Sequence, residues 1–173
     1  MAPAVKSSAG SALIVAVQLP RSLEAVRLRC VADAAAGVPA HVTLLYPFAP
    51  PGSIDDLRGT IESIAANHQP FQYRLVGPAA WPDTIYVTVD PPEPFAAIHR
   101  DLATAFPDYP IYGGAFESFV PHVTVAERLC PEVPESLRDG GALPVARVAG
   151  SIDLISEGAD RRWSLSAIFP LGH

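Results

Sequence analysis

Two histidine–threonine pairs are the residues of this sequence best suited to chemistry. His41-Val42-Thr43 and His122-Val123-Thr124 share one spacing, and a proline precedes each motif within two residues. Because a strand directs residues i and i+2 to the same face, each motif places an imidazole beside a hydroxyl. Histidine exchanges protons near neutral pH, and a threonine hydroxyl can donate a hydrogen bond to an anionic oxygen.

Two such pairs facing each other across a cleft predict acid–base chemistry on a phosphodiester. One imidazole would take a proton from an attacking water, and the other would give a proton to the leaving oxygen. We therefore expect His41 and His122 to be catalytic, and Thr43 and Thr124 to bind the phosphoryl oxygens. The motifs leave open which histidine is the acid and which is the base.

The elements that must position these residues are short, because the chain has 19 prolines and 12 glycines. Hydrophobic periodicity and turn residues predict interleaved helices and strands. Ser22 is a candidate cap of the first helix, and Gly37 is expected to end it. We expect a flexible arm over residues 1–11 and a single domain over 12–173, with strands over 12–19, 41–48, 71–76, 84–90 and 119–127, helices over 21–36, 53–67 and 94–106, loops over 107–114 and 131–143, and a closing hairpin of 148–156 with 163–169.

The sequence around both motifs resembles the 2H phosphoesterase superfamily, in its 2′-5′ RNA ligase-like or cyclic phosphodiesterase branch. The resemblance rests on the segments PAHVTLLYPF and FVPHVTVAE and on the ending from Arg162-Trp163 to Phe169-Pro170-Leu171-Gly172. It covers residues 12–172. It implies an α+β fold of two duplicated lobes, each an antiparallel sheet with outer helices, around a central groove lined by the His-x-Thr strands.

The same resemblance implies a metal-independent phosphodiesterase with no cofactor, acting on the 2′,3′-cyclic phosphate of a nucleotide or RNA end. One departure concerns the second motif, which many ligase-like members continue as His-x-Thr-Leu-Ala-Arg. Here Glu127 stands in the arginine position and Arg128 follows it. Arg128 has the same strand parity as His122 and Thr124, so it is a candidate substrate-binding residue and equally a solvated strand end.

Aromatic residues near the motifs are candidates for stacking a base or ribose. Tyr112 and Phe119 are the best of them, because they lie on or beside the segment that enters the second motif. For each aromatic residue taken alone, packing is the better interpretation. That group also includes Tyr46, Tyr86 and Phe116; Trp81 and Trp163 are assigned to packing, His68 to a structural role at a helix end, and His99 to a solvated helix face.

Composition limits the partners and the location. The 173 residues carry a net charge of -6, which disfavours binding along duplex nucleic acid because cationic charge supplies most of that affinity. The apolar run 12–17 is too short to span a membrane and indicates a buried strand in preference to a signal peptide. We expect a cytoplasmic monomer that binds a nucleotide or RNA-end phosphodiester, no long duplex and no membrane, with Cys30 and Cys130 reduced.

Other functions remain open. They are an RNA 2′-5′ ligase, a hydrolase of a small cyclic or 2′-5′-linked signalling nucleotide, and a non-catalytic member that only binds RNA or a protein. A metal site is the weakest alternative, because two histidines without a cysteine or carboxylate at ligand spacing form an incomplete zinc set.

Overall fold

The computed structural model describes residues 10–127, 130 and 142–172 and shows an α+β fold with two antiparallel sheets. The helices are α1 (Arg21–Cys30), α2 (Ala32–Ala35), α3 (Ile54–Ala66) and α4 (Glu93–Ala105), with 3₁₀ turns at Pro51–Ser53 and Ile111–Gly114. The strands are β1 (Ser11–Ala16), β2 (His41–Leu45), β3 (Phe71–Trp81), β4 (Thr84–Asp90), β5 (His122–Glu127), β6 (Val145–Ala149), β7 (Ser151–Glu157) and β8 (Trp163–Pro170).

The sheets have four strands each, in the orders β2-β1-β7-β8 and β5-β4-β3-β6. A strand–helix–strand unit recurs, first as β1–α1–β2 and then as β4–α4–β5, and a His-x-Thr motif opens the last strand of each unit. Both motif strands are therefore edge strands. Each helix packs against the other unit's motif strand, α1 against β5 and α4 against β2, so the two halves interlock.

Alternation along the motif strands directs the polar residues to one face. In β2 and β5 the histidine and threonine are partly exposed, whereas Val42, Leu44, Val123 and Val125 are fully buried. The apolar side chains anchor each strand in the core and present imidazole and hydroxyl to the other side, as the sequence predicted. One continuous cluster of buried apolar residues draws on both sheets; its members include Leu13, Leu75, Val87, Ile98, Leu154 and Phe169.

The first predicted helix is interrupted. Val31 has extended backbone angles (φ -123°, ψ 117°) and separates α1 from the short α2. Ser22 lies inside α1 and is not its cap. Pro20 occupies the N-cap position, and its carbonyl accepts hydrogen bonds from the N–H groups of Leu23 and Glu24. The fixed φ of proline is compatible with the start of a helix.

Gly37 follows α2, as predicted, and its backbone packs closely against that of Trp163. Its φ of +104° lies in the region that favours glycine, and a Cβ there would stand 2.7 Å from the carbonyl oxygen of Trp163. The N–H of Trp163 also donates to the carbonyl of Ala36 at 2.8 Å. The turn after α2 therefore docks on the first residue of β8.

Several strand boundaries differ from the predictions. The segment predicted as one strand over 148–156 divides at Gly150 between β6, which pairs with β3, and β7, which pairs with β1 and β8. The β3 strand extends to Trp81, with an irregularity between Leu75 and Pro78 that accommodates the glycine and proline. The first strand ends at Ala16, the second at Leu45, and the fifth begins at His122.

The flexible arm predicted over residues 1–11 includes Ser11, which the structure places in β1. Ser11 is completely buried in β1, where its hydroxyl donates to the carbonyl of Ala49 at 2.6 Å. Residues 1–9, and most of the predicted loop over 131–143, lie outside the described residues. Within the described ranges, no helix is long and apolar enough to cross a membrane.

The prediction that both cysteines are reduced is wrong, because Cys30 and Cys130 form a disulfide. Cys30 ends α1 and Cys130 follows β5, and these two elements pack together. Two residues 100 positions apart thus have Cα atoms only 5.6 Å apart, a proximity that their spacing does not reveal. Disulfides persist mainly in oxidising compartments, so this one weighs against the cytoplasmic location, which stays a prediction.

Candidate active site

The fold brings the two motifs together at the contact between β2 and β5. His41 is the first residue of β2 and His122 the first of β5, and the two edge strands approach each other without belonging to one sheet. Because α1 and α4 each hold the opposite motif strand, the relative position of the motifs is set by both halves of the fold.

Both imidazoles are held by the same local hydrogen bond. Nδ1 of His41 donates to the carbonyl of Pro39 at 2.7 Å, and Nδ1 of His122 donates to the carbonyl of Val120 at 2.7 Å. A carbonyl can only accept, so the proton of the neutral ring lies on Nδ1 in both cases. Nε2 is then the nitrogen that can accept a proton from water or donate one to a leaving group.

Thr43 is bonded directly to the first imidazole. Its Oγ1 lies 3.0 Å from Nε2 of His41, and the hydroxyl donates because that nitrogen carries no proton in the neutral ring. Tyr112 hydrogen-bonds to the same threonine, and burial raises the pKa of its hydroxyl, which keeps the group protonated at neutral pH. Tyr112, Thr43 and His41 therefore form a chain of polar groups.

A cavity of about 150 Å³ lies beside these residues. His41, Thr43 and Thr124 line it, so the structure brings both motifs to one space. His122 does not line this cavity; it lies two residues before Thr124 on the same strand. The other lining side chains with polar or aromatic groups are Arg27, Asp33, Tyr46, Tyr112, Glu127 and Trp163.

Two aromatic rings contact the imidazole of His122. The indole of Trp81 lies edge-on to the imidazole with 4.7 Å between centroids, and the ring of Tyr86 is 5.3 Å away. Trp81 and Tyr86 contact each other at 4.1 Å, which makes a wall on one side of the second motif. The sequence assigned Trp81 to packing, whereas its place against His122 makes it part of the site.

Burial lowers the pKa of both histidines. The pKa of His41 falls to about 4, because burial disfavours the imidazolium and the charges of Arg27 and His122 act in the same direction. The pKa of His122 is lowered by burial, against which its bond to Val120 acts. Both rings are consequently neutral at pH 7 before substrate enters.

The predicted substrate-binding aromatics separate into two groups. Tyr112 lines the cavity, with Tyr46 at 6.4 Å between ring centroids and Trp163 6.2 Å beyond Tyr46. Phe119 does not line it. Its ring stacks on the imidazole of His99 at 4.1 Å and packs against the core.

His99 contacts the first motif strand, and its predicted place on a solvated helix face is wrong. Its Nδ1 donates to the carbonyl of Leu44 at 2.8 Å, which fixes α4 to β2. His68 follows α3 and bonds to Asp101 on α4 at 2.8 Å, consistent with a structural role. The periodicity of α4 could not predict the contact of His99, because its partner Leu44 lies 55 residues earlier on another element.

Arg27 and Trp163 also line the cavity, although the sequence did not point to Arg27 and Trp163 was assigned to packing. Leu23, Val26, Arg27 and Cys30 are the buried residues of α1, so Arg27 occupies a position on the apolar stripe. A charged residue on such a stripe is a signal that could have been used. For Trp163, the only signal was its place in the C-terminal segment that resembles the superfamily.

No cluster of three or more metal-ligating side chains occurs among the described residues. Arg128, the remaining predicted substrate-binding residue, lies outside them. Glu127 itself does line the cavity. The position that holds arginine in many ligase-like members thus brings a negative charge to the site here.

Comparison with known proteins identifies the class. Residues 15–149 match the family model of the 2′-5′ RNA ligase superfamily, so the chain belongs to that superfamily of 2H phosphoesterases. No curated protein matches its sequence.

Solved structures share the fold. The crystal structure of TT0787 of Thermus thermophilus has a TM-score of 0.64 at 20% identity, covering 94% of this chain and 98% of that one. E. coli LigT complexed with NADP+ has a TM-score of 0.59 at 16% identity, with 96% and 99% covered. E. coli LigT complexed with 3′-AMP has a TM-score of 0.55 at 15% identity, with 95% and 99% covered.

Proposed function

We propose that this protein is a metal-independent phosphodiesterase that opens the 2′,3′-cyclic phosphate of a nucleotide or RNA end. The observation that carries the proposal is the pairing of the motifs. Two edge strands meet, and each holds an imidazole with Nδ1 bonded to the backbone, so that Nε2 remains for proton transfer.

The reaction follows from this arrangement. A water oxygen attacks phosphorus while one neutral imidazole takes its proton at Nε2, and the bond from phosphorus to a ribose oxygen breaks. The other imidazole reacts from its protonated form, a minor species at pH 7 that becomes more abundant at lower pH, and gives its Nε2 proton to that ribose oxygen. Thr43 and Thr124 donate to the non-bridging oxygens, where negative charge develops. For this the hydroxyl of Thr43 turns from Nε2 of His41 to the phosphoryl oxygen, which leaves Nε2 for the proton. The product is a 2′- or 3′-phosphate monoester, and proton exchange with solvent restores both histidines.

The size of the cavity supports a small phosphodiester substrate. About 150 Å³ is below the roughly 300 to 1,000 Å³ of pockets that enclose whole drug-sized ligands. A phosphate with part of its ribose would occupy such a volume, where Tyr46 and Trp163, which line the same cavity, would contact the sugar or the base. E. coli LigT was crystallised with NADP+ and with 3′-AMP, both nucleotides, which supports a nucleotide ligand for this chain too.

A second candidate is RNA 2′-5′ ligation. The same two histidines could activate a ribose hydroxyl in place of water, or cleave a small cyclic or 2′-5′-linked nucleotide. Glu127 and Asp33 in the lining, with the net charge of -6, favour a short substrate over a long RNA strand. We therefore rank hydrolysis first, and we propose a monomer that binds neither long duplex nucleic acid nor membranes.

A substrate panel tests the proposal. Purified protein is incubated in EDTA with 2′,3′-cyclic mononucleotides, cyclic dinucleotides and 2′-5′ dinucleotides, and the products are identified by chromatography against 2′- and 3′-phosphate standards. A His41→Ala protein purified in parallel controls for contaminating nucleases. We expect EDTA-resistant conversion of a 2′,3′-cyclic nucleotide to one monophosphate isomer. Turnover of only the 2′-5′ dinucleotides, or of no substrate, would overturn the proposal.

A further inference from the structure

Arg27 is a buried charge at the wall of the cavity. Only 3% of its side chain is exposed, a costly position for a guanidinium unless partners compensate. Nη1 pairs with Glu24 at 3.1 Å, and Nη2 donates to the carbonyl of Val38 at 2.6 Å. Arg27 also lines the cavity that His41 and Thr43 line. Its charge is therefore buried at the site rather than in the remote core.

The bond to Val38 connects Arg27 to the first histidine. Val38, Pro39 and Ala40 lead into β2, and each of their carbonyls accepts a hydrogen bond. Arg27 donates to the first, Nδ1 of His41 to the second, and the backbone N–H of Val17 to the third at 2.8 Å. Arg27 thus fixes the peptide next to the one that orients the imidazole.

The second histidine has different surroundings. Val120 supplies the same carbonyl bond to His122, but the side chains against this ring are the aromatic groups of Trp81 and Tyr86. Both histidines have the same hydrogen bond from Nδ1 to a backbone carbonyl. The two motifs differ because the buried guanidinium of Arg27 lies beside the segment that leads into the first one. An acid–base pair needs that difference, because one imidazole must start neutral and the other protonated.

Resting on the phosphodiesterase proposed above, we propose that Arg27 is the positioning residue that keeps His41 neutral, so that His41 accepts the proton of water and His122 protonates the leaving oxygen. A fixed positive charge disfavours an imidazolium near it, which adds to the effect of burial on the pKa of His41. Among the described residues, the titratable or charged groups around His41 are Arg27 on α1, Asp33 on α2, Tyr46 after β2, Tyr112 on the 3₁₀ turn, and His122 and Glu127 on β5. The carboxylate of Glu24 on α1 pairs with Arg27 and offsets part of its charge.

NMR titration of the imidazole resonances, assigned with His41→Gln, tests the proposal without substrate. Arg27→Gln removes the charge and keeps an amide donor. We expect it to raise the pKa of His41 by about half a unit or more and to leave that of His122 unchanged. Arg27→Lys keeps the charge and should leave the pKa of His41 lowered. Arg21→Gln, the same charge change at the exposed start of α1, is the matched control and should move neither.

Activity assays then connect the titration to turnover. In Arg27→Gln the acid limb of the kcat/KM profile should move up with the pKa of His41, and kcat should fall more than KM rises. An unchanged His41 pKa, a shift of His122 instead, or an equal shift in Arg21→Gln would overturn the proposal. If Arg27→Gln does not fold, Arg27→Met, an apolar side chain of similar length, takes its place: a raised His41 pKa supports the proposal, and an unchanged one overturns it.

The titration separates this inference from the proposed function. A wild-type protein that turns over no phosphodiester contradicts the function. The dependence of the His41 pKa on Arg27 is measured in the same protein whatever its substrate.

Discussion

Thr43 Oγ1 lies 3.0 Å from Nε2 of His41, so hydroxyl and imidazole form one hydrogen-bonded unit in the first motif. Thr124 lines the same cavity from the second motif. Thr43→Val and Thr124→Val keep the branched shape and delete only the hydroxyl. Each should lower kcat/KM by about 10- to 100-fold, corresponding to about 1.5 to 3 kcal/mol for a hydrogen bond to a charged oxygen.

Steady-state kinetics on the substrate found in the panel measures this loss. Thr84→Val on β4 is the matched control, because this threonine lies in a strand outside the cavity lining and bonds to Asp83. If the motif threonines are only strand formers, all three variants will have wild-type kinetics, and the proposed phosphate contact is then wrong.

The pH dependence follows from the lowered pKa values. If His41 is the base, the rate rises as pH increases through its pKa of about 4, because the ring must lose its proton before it can accept one. If His122 is the acid, the rate falls as pH increases through its pKa, which burial places below 6.5. We therefore expect kcat/KM to form a bell with its maximum between about pH 4 and 6.5.

This maximum lies at a lower pH than the maximum expected for two histidines with ordinary pKa values. The fitted constants describe the coupled pair, so the two limbs alone do not assign them to individual rings. A profile that keeps rising above pH 7.5 would show that a group of higher pKa controls the reaction, contrary to the two-histidine account.

The disulfide ties α1, which carries Arg27, to the segment that follows the second motif strand. It closes a chain separation of 100 residues, for which the loss of unfolded-state entropy is large. We expect Cys30→Ala with Cys130→Ala to lower the free energy of unfolding by about 2 to 4 kcal/mol relative to the oxidised protein, measured by denaturant titration.

Wild-type protein treated with a reductant is the control and should match the double variant. Peptide mapping under non-reducing conditions reports the bond itself. Two freely alkylated thiols in the isolated, unreduced protein would contradict the disulfide and restore the interpretation of reduced cysteines.

The sequence contained most of the local information about the site. Alternation along residues 41–45 and 122–127 predicted that imidazole and hydroxyl share a face, because this property depends only on strand geometry. The α3 and α4 helices lie within a few residues of their predicted bounds because their apolar stripes are regular.

What the sequence could not show depends on contacts between distant elements. The bond of His99 to Leu44, the disulfide of Cys30 with Cys130 and the contact of Trp81 with His122 each join segments more than 40 residues apart. Local periodicity contains no information about such pairs. For that reason Trp81, which was assigned to packing, and His99, which was assigned to solvent, have different roles in the structure.

Replacing each histidine in the presence of EDTA tests whether the two imidazoles carry the reaction without a metal. Turnover of the 2′,3′-cyclic nucleotide is measured for wild type, His41→Ala and His122→Ala, with thermal unfolding to verify folding and with His68→Ala, which removes the ion pair to Asp101, as the control histidine. We expect wild type and His68→Ala to keep their rate in EDTA, and each motif variant to lose roughly 10²- to 10⁴-fold in kcat. A folded motif variant with near-wild-type turnover, or a wild-type rate that collapses in EDTA and returns with added Zn²⁺ or Mg²⁺, would contradict it.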